Sequence, residues 1–202
     1  LRQPMEEKKI CIARLHASYE YPADFMLLGA MNPCKCGYYP DMQKCRCTPM
    51  QVQSYLSRLS EPLLDRMDLC VEMEKSAFVF MDPSGKEEAS EKVKERVMNA
   101  RERQSYRSRE EKIQYNSELD GKYLEKYCRL GKKDKLLWKE LCEQLELSAR
   151  GAKRLLRVAR TLADLAGQEK IGEELLFEAS MSKGIIQKYW NTIPEGKGVG
   201  EQ

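Results

Sequence analysis

The sequence predicts an α/β segment followed by an all-helical one in a chain of 202 residues. Three observations carry this reading. The apolar run Phe25–Met31 (FMLLGAM) has the length and continuity of a strand buried on both faces of a mostly parallel sheet. A breaker-rich linker, Asp82–Ser90 (DPSGKEEAS), interrupts the chain. Beyond it, apolar residues recur at helical spacing.

Taken in order, residues 1–9 read as the tail of a helix or a loop entry. Lys9–Leu15 (KICIARL) alternates as a strand does, with Ile10 and Ile12 on one face. Tyr21-Pro22 marks a turn before the FMLLGAM strand. Residues 32–48 form an irregular loop rich in Cys, Pro and Tyr. Pro49–Ser60 has helical character, with Val52, Tyr55, Leu56 and Leu59 on one stripe. Ser60 then caps a short second helix with Pro62 in its first turn. Asp68–Met73 (DLCVEM) reads as a further strand.

After the linker, helices are expected over about Glu91–Arg107, Lys122–Cys128, Asp134–Leu145, Ala149–Ala166 and Glu173–Met181. A polar stretch, Ser108–Asp120, separates the first two. Ser148 is the N-cap of the strongest helix and Gly167 closes it. Its apolar stripe is Leu155, Leu156, Ala159, Leu162, Ala163 and Ala166. The implied domains are an α/β part at 1–82, with a Cys-rich insertion at about 33–48, a helical part at 83–193 and a disordered tail at 194–202. A sheet of two or three strands leaves faces and edges uncovered. Together with a first residue that is Leu, this leads us to expect a piece of a longer or processed protein.

Composition is that of a polar globular protein, 42% hydrophobic and 33% charged. No apolar run approaches the roughly 18–20 residues that span a membrane. No signal peptide opens the chain, so a cytoplasmic location is expected. The net charge of +3 is too small to argue for nucleic acid by itself. Two stretches are more basic. Residues 92–109 carry seven Lys or Arg against two Glu, and residues 149–160 carry five and no acid. Each reads equally as a solvated helix face or as a surface for phosphates.

Several residues have the character of site residues. Asn32 falls at the carboxyl end of the expected strand, where open α/β sheets bind ligands. A carboxamide there can orient a water or contact a phosphate; it can equally make a turn before Pro33. Four of the eight cysteines crowd into fourteen residues as Cys34-x-Cys36 and Cys45-x-Cys47. They can supply four thiolates to a tetrahedral structural zinc, although a single residue between partners is shorter than the usual knuckle. Reduced thiols without metal, or a disulfide formed on oxidation, are the alternatives. Cys11, Cys70, Cys128 and Cys142 lie among apolar neighbours and are expected to be buried thiols.

Arg66 ends a short helix between Asp65 and Asp68. It reads either as a surface ion pair or as an arginine presented to a neighbouring subunit's nucleotide. Arg150 lies in the first turn of a helix, where a cation opposes the macrodipole, so an external anionic partner is suggested. Leu141–Arg160 also has the outline of a helix-turn-helix. The single histidine, His16, is accompanied by no nucleophile motif. The chain contains neither a GxxxxGK[ST] phosphate loop nor an acidic strand-end pair for Mg²⁺.

The stretches AMNPCKCGYYPD, RLSEPLLDRMDL and LSARGAKRLLRVARTLADL, with LRQPMEE and YPADFMLLGAMNPC, resemble the magnesium-chelatase-like AAA+ ATPases of the YifB/ComM type. The resemblance covers roughly Leu1–Gly172. It implies the C-terminal part of such a protein, starting after its Walker A and Walker B elements. Carried over, Asn32 resembles the sensor-1 residue, Arg66 the arginine finger and Arg150 the sensor-2 arginine that reaches ATP phosphate from a helical lid. The four cysteines match the family's Cys-rich insertion, although Lys35 stands where Pro is usual. Glu61 replaces a usual Gly, Cys70 replaces a usual His, and the sequence departs from the family after about Leu176. The resemblance further implies ATP and Mg²⁺ as cofactors, a ring oligomer (a hexamer), and DNA as the partner remodelled, in branch migration. The competing expectation is a non-enzymatic DNA-binding module with a zinc-held loop and a helix-turn-helix.

Overall fold

The structure is a computed structural model that describes residues 2–15, 17–73 and 88–191. His16, most of the 82–90 linker and the tail from Pro194 lie outside the described residues. Among the described residues, 2–67 and 186–191 form one compact unit and 68–185 another.

The first unit begins with a short helix, α1 (Arg2–Glu7), and a two-stranded antiparallel hairpin of β1 (Lys9–Arg14) and β2 (Ala17–Pro22). Ile10 lies opposite Tyr21 and Ile12 opposite Tyr19, the β-branched and aromatic cross-strand pairs that favour such a ladder. Helix α2 (Pro49–Leu56) starts at Thr48, whose Oγ1 accepts from the Gln51 N–H while the Gln51 side chain accepts from the Thr48 N–H. This capping box, with Pro49 at the first helical position, fixes where the helix begins. Helix α3 (Glu61–Leu64) is a single turn opened by Ser60. A π-helical turn, Gln187–Asn191, completes the unit. Its buried residues are Val52, Leu56, Leu64, Tyr189 and Cys34, and the Trp190 indole N–H donates to the Leu56 carbonyl at 3.0 Å.

Two strand expectations are corrected here. Neither 25–31 nor 68–73 joins a ladder, and the sheet is an antiparallel hairpin rather than a parallel one. Tyr21-Pro22, expected as a turn, ends β2. The reason is non-local: a strand needs a neighbour, and among the described residues β1 and β2 pair only with each other. The 25–31 segment nevertheless keeps a strand's alternation, with Met26 and Leu28 about 90% exposed and Phe25 and Leu27 about half as much. Leu69, Val71 and Met73 are likewise exposed.

The second unit is helical: α4 (Ser90–Arg107), α5 (Lys122–Tyr127), α6 (Lys132–Gln144), α7 (Ala149–Leu165) and α8 (Glu173–Ile186), with 3₁₀ turns at Arg109–Glu111 and Asn116–Glu118. Ser148 Oγ accepts from the Gly151 N–H at 3.0 Å, satisfying one of the orphan donors at the start of α7. Gly167, at φ +71°, follows α7 in the left-handed conformation that glycine adopts without strain. Leu155, Leu156, Ala159 and Ala163 are buried in one cluster with Leu119 and Leu176, while Ala166 is exposed. In its place the inner face carries Arg160 and Asp164, both at least 97% buried. Among the described residues no helix is long and apolar enough to cross a membrane.

Candidate functional site

The four clustered cysteines come together. The Sγ atoms of Cys34 and Cys36 are 3.3 Å apart, Cys36 and Cys45 3.6 Å, and Cys34 and Cys45 3.8 Å. All four, Cys47 included, lie within 4.8 Å of one another, and each is a free thiol. Local backbone geometry produces this. The Gly37 N–H donates to the Cys34 carbonyl at 3.1 Å, closing a tight turn in which Gly37 takes φ +80°. A second turn follows, with the Asp41 carbonyl accepting from the Cys45 N–H at 2.8 Å. It returns the chain so that the second pair faces the first, and α2 starts directly after Cys47.

Main-chain amides point at the sulfurs. The Tyr39 N–H donates to Cys34 Sγ at 3.5 Å. Amides of Tyr38 and Arg46 pull the Cys36 thiol down to about 6. Burial of Cys34 resists ionisation, but the Tyr39 and Tyr38 amides overcome it and its pKa also falls. For Cys45 the order is reversed: the Cys47 amide favours the thiolate, while burial and the Cys36 and Cys34 sulfurs push it up to about 12. Cys47 is raised against the favourable Cys36 amide by the same burial and neighbouring sulfurs. Crowded thiolates repel, so ionising all four together requires a cation among them. This donor set fits a tetrahedral Zn²⁺.

The other cysteines divide differently from expectation. Cys128 is buried and burial pushes its thiol up to about 11, an unreactive state, and burial likewise raises Cys142 and Cys70. Cys11 is exposed on β1, because both faces of the hairpin meet solvent.

Asn32 is exposed, and its carboxamide lies over the Gly37 turn, where a Cβ on Gly37 would be 3.6 Å from Asn32 Nδ2. Arg66 follows α3 in the same unit. Its Nη1 donates to the Pro62 carbonyl and its Nη2 to Glu6 Oε2 at 2.8 Å, leaving the side chain 10% exposed. Glu6 sits sixty residues away in sequence, and no local pattern flagged it. Arg150 belongs to the second unit, exposed on the first turn of α7.

The basic stretch on α7 is largely committed inside its own unit. Lys153 pairs with Asp120 at 2.7 Å and Arg154 with Asp68 at 2.5 Å. Arg157 donates to the Leu119 carbonyl at 2.7 Å, and Arg160 is buried on Asp164. On α4, Arg107 reaches Asp164 and Arg103 the Asp164 carbonyl.

Comparison with known proteins adds the family. Residues 1–80 match the family model described as magnesium chelatase, subunit ChlI, and residues 87–183 match the one described as magnesium chelatase, subunit ChlI C-terminal. The competence protein ComM of Haemophilus influenzae is 38% identical over 188 residues, 93% of this chain and 36% of that protein. The uncharacterized protein YifB of Salmonella typhimurium is 41% identical over 186 residues, 92% of this chain and 36% of that protein. The uncharacterized protein Rv2897c of Mycobacterium tuberculosis is 39% identical over 173 residues, covering 85% and 34% respectively. The chain spans about a third of the length of these relatives. Two successive matches of one kind, with such identity across most of its length, make this chain a member of the YifB/ComM magnesium-chelatase-like family.

Proposed function

We propose that this chain forms the sensor and lid portion of a AAA+ ATPase that binds ATP with Mg²⁺ between subunits of a ring. In this reading Asn32 orients the attacking water or a phosphate of its own subunit's nucleotide, Arg150 reaches a phosphate of that nucleotide as the sensor-2 arginine, and Arg66 is lent to the neighbouring subunit's nucleotide. The phosphate loop and the Mg²⁺ carboxylates come from outside these 202 residues, which contain neither. Hydrolysis then drives remodelling of a partner, for which DNA is the choice suggested by the ComM resemblance. A structural Zn²⁺ in the four-cysteine loop belongs to the same reading.

The observation that carries it is the pair of consecutive family matches, over 1–80 and 87–183. The rival, a free-standing DNA-binding helix-turn-helix, is disfavoured by α7: its basic residues are mostly spent on internal partners, and its inner face is packed rather than offered to a groove.

The Glu6 contact bears on Arg66 directly. A guanidinium held by a carboxylate at 2.8 Å is oriented but charge-compensated, so lending it to a neighbour requires exchanging that carboxylate for a phosphate. The test is steady-state turnover by the full-length protein. Arg66→Ala should lower kcat by about 10³-fold or more while leaving ATP affinity nearly unchanged. Mixing it with a phosphate-loop-dead variant should restore part of the activity, because each then contributes the half the other lacks. Unchanged turnover in Arg66→Ala overturns the reading.

A further inference from the structure

We propose that Cys34, Cys36, Cys45 and Cys47 bind a single Zn²⁺ and that this ion is the device that seats Asn32. Four sulfurs bonded to one tetrahedral zinc at about 2.3 Å stand about 3.8 Å apart along each edge. The separations of 3.3, 3.6 and 3.8 Å lie at or up to half an ångström under that edge, and Cys47 completes the set within 4.8 Å. This is room for one ion; an iron–sulfur cluster, with its own bridging sulfides, needs thiolates further apart.

Second-sphere chemistry agrees. The Tyr38, Tyr39 and Arg46 amides already point at ligand sulfurs, the outer hydrogen bonds that stabilise coordinated thiolates. On coordination the thiols that still hold a proton give it to solvent, and the resulting centre of Zn²⁺ with four thiolates carries two negative charges. The loop is built for that charge: Lys35, Lys44 and Arg46 lie between or beside the ligands. Its sole acid, Asp41, is paired with Lys44 at 3.3 Å.

The link to Asn32 is geometric. Asn32 is two residues before the first ligand, and its carboxamide rests on Gly37, the residue after the second. The turn that presents Gly37 carries two of the ligands, Cys34 and Cys36, and its backbone hydrogen bond closes it without the metal; the ion ties it to the second cysteine pair, so loss of the ion loosens the surface against which the carboxamide packs. The same loop reaches the π-helical turn. The Tyr39 ring meets the buried Tyr189 ring edge-on at 6.1 Å, and the neighbouring Trp190 is anchored on the Leu56 carbonyl. The value of a seated Asn32 for hydrolysis rests on the function proposed above; metal binding and the seating do not.

The experiment uses the purified full chain under reducing conditions. Metal analysis should give one zinc per chain. Cobalt loading should give tetrahedral d–d bands with strong thiolate charge transfer, and Cys11→Ser should leave both intact. Stripping the ion with a membrane-permeant, nitrogen-donor chelator tests the seating without any ligand substitution. In a Trp138→Phe background Trp190 is the sole indole. Its emission should shift on stripping, the Asn32 side-chain amide resonance should lose its dispersion, and added Zn²⁺ should restore both. Less than a tenth of an equivalent of zinc, with no tetrahedral cobalt spectrum, overturns the metal site and the proposal with it. Stoichiometric zinc whose removal moves neither signal overturns the seating alone. Normal seating in a full-length protein without ATPase activity faults instead the nucleotide role of Asn32.

Discussion

Asp164 is 1% exposed and accepts from the Arg107 Nη2 and Asn116 Nδ2 at 2.9 and 2.8 Å, with Arg160 Nη2 at 3.1 Å. Arg160 in turn donates to the Gln168 and Glu169 carbonyls just beyond α7. Deleting the carboxylate leaves the buried Arg160 guanidinium without its counter-ion, near the partly exposed Arg107 that shared it. Asp164→Ala should therefore lower stability by about 3–5 kcal/mol, read as a fall in the urea midpoint. Asp164→Asn, which keeps an acceptor, should lose less. The apolar stripe of α7 was legible from spacing, and most of it is buried. Arg160 and Asp164 share that stripe, but their polarity hid them, because the partner that makes burial tolerable, Arg107, is 57 residues away. Glu6 on Arg66 was illegible for the same reason. The gathering of the four cysteines, by contrast, was legible in their local pattern.

At the scale of elements, helices were readable, and of the strands only β1 was, through its alternation at Lys9–Leu15. Caps, periodicity and closing glycines are local, and α2, α4, α6 and α7 begin or end within a few residues of where they point. A strand is completed by its neighbour, so the apolar run at 25–31 misled, while β2 (ASYEYP), polar and ending in proline, was passed over. The small ties between elements are also non-local. Glu111, on a 3₁₀ turn, accepts from Lys126 Nζ at 2.5 Å and from the Tyr127 hydroxyl at 2.6 Å on α5. Lys126 first, then Tyr127, holds the Glu111 carboxyl below its ordinary value. Its pKa is lower folded than unfolded. Its contribution is therefore complete above about pH 4.3, the unfolded value, and vanishes as pH falls through the lowered folded one. Glu111→Gln should flatten that portion of the acid limb in a denaturation series and leave the neutral-to-alkaline side unchanged. An identical acid limb in the variant would show that the tie contributes nothing.

For the molecule as a whole, one consequence follows from the alternating exposure of the 25–31 segment and from the hairpin that precedes it in sequence, whose two strands, among the described residues, pair only with each other. Open edges of this kind recruit other chains end over end. Sizing the isolated chain at rising concentration should show species that keep growing. Met26→Lys with Leu28→Lys, both at outward positions, should suppress that growth without unfolding the helical unit; undiminished growth would exonerate the segment. Such accretion has no natural stopping number, whereas rotational closure halts at a definite one. A ladder of sizes would therefore be the signature of raw seams, and a single plateau that of a finished annulus.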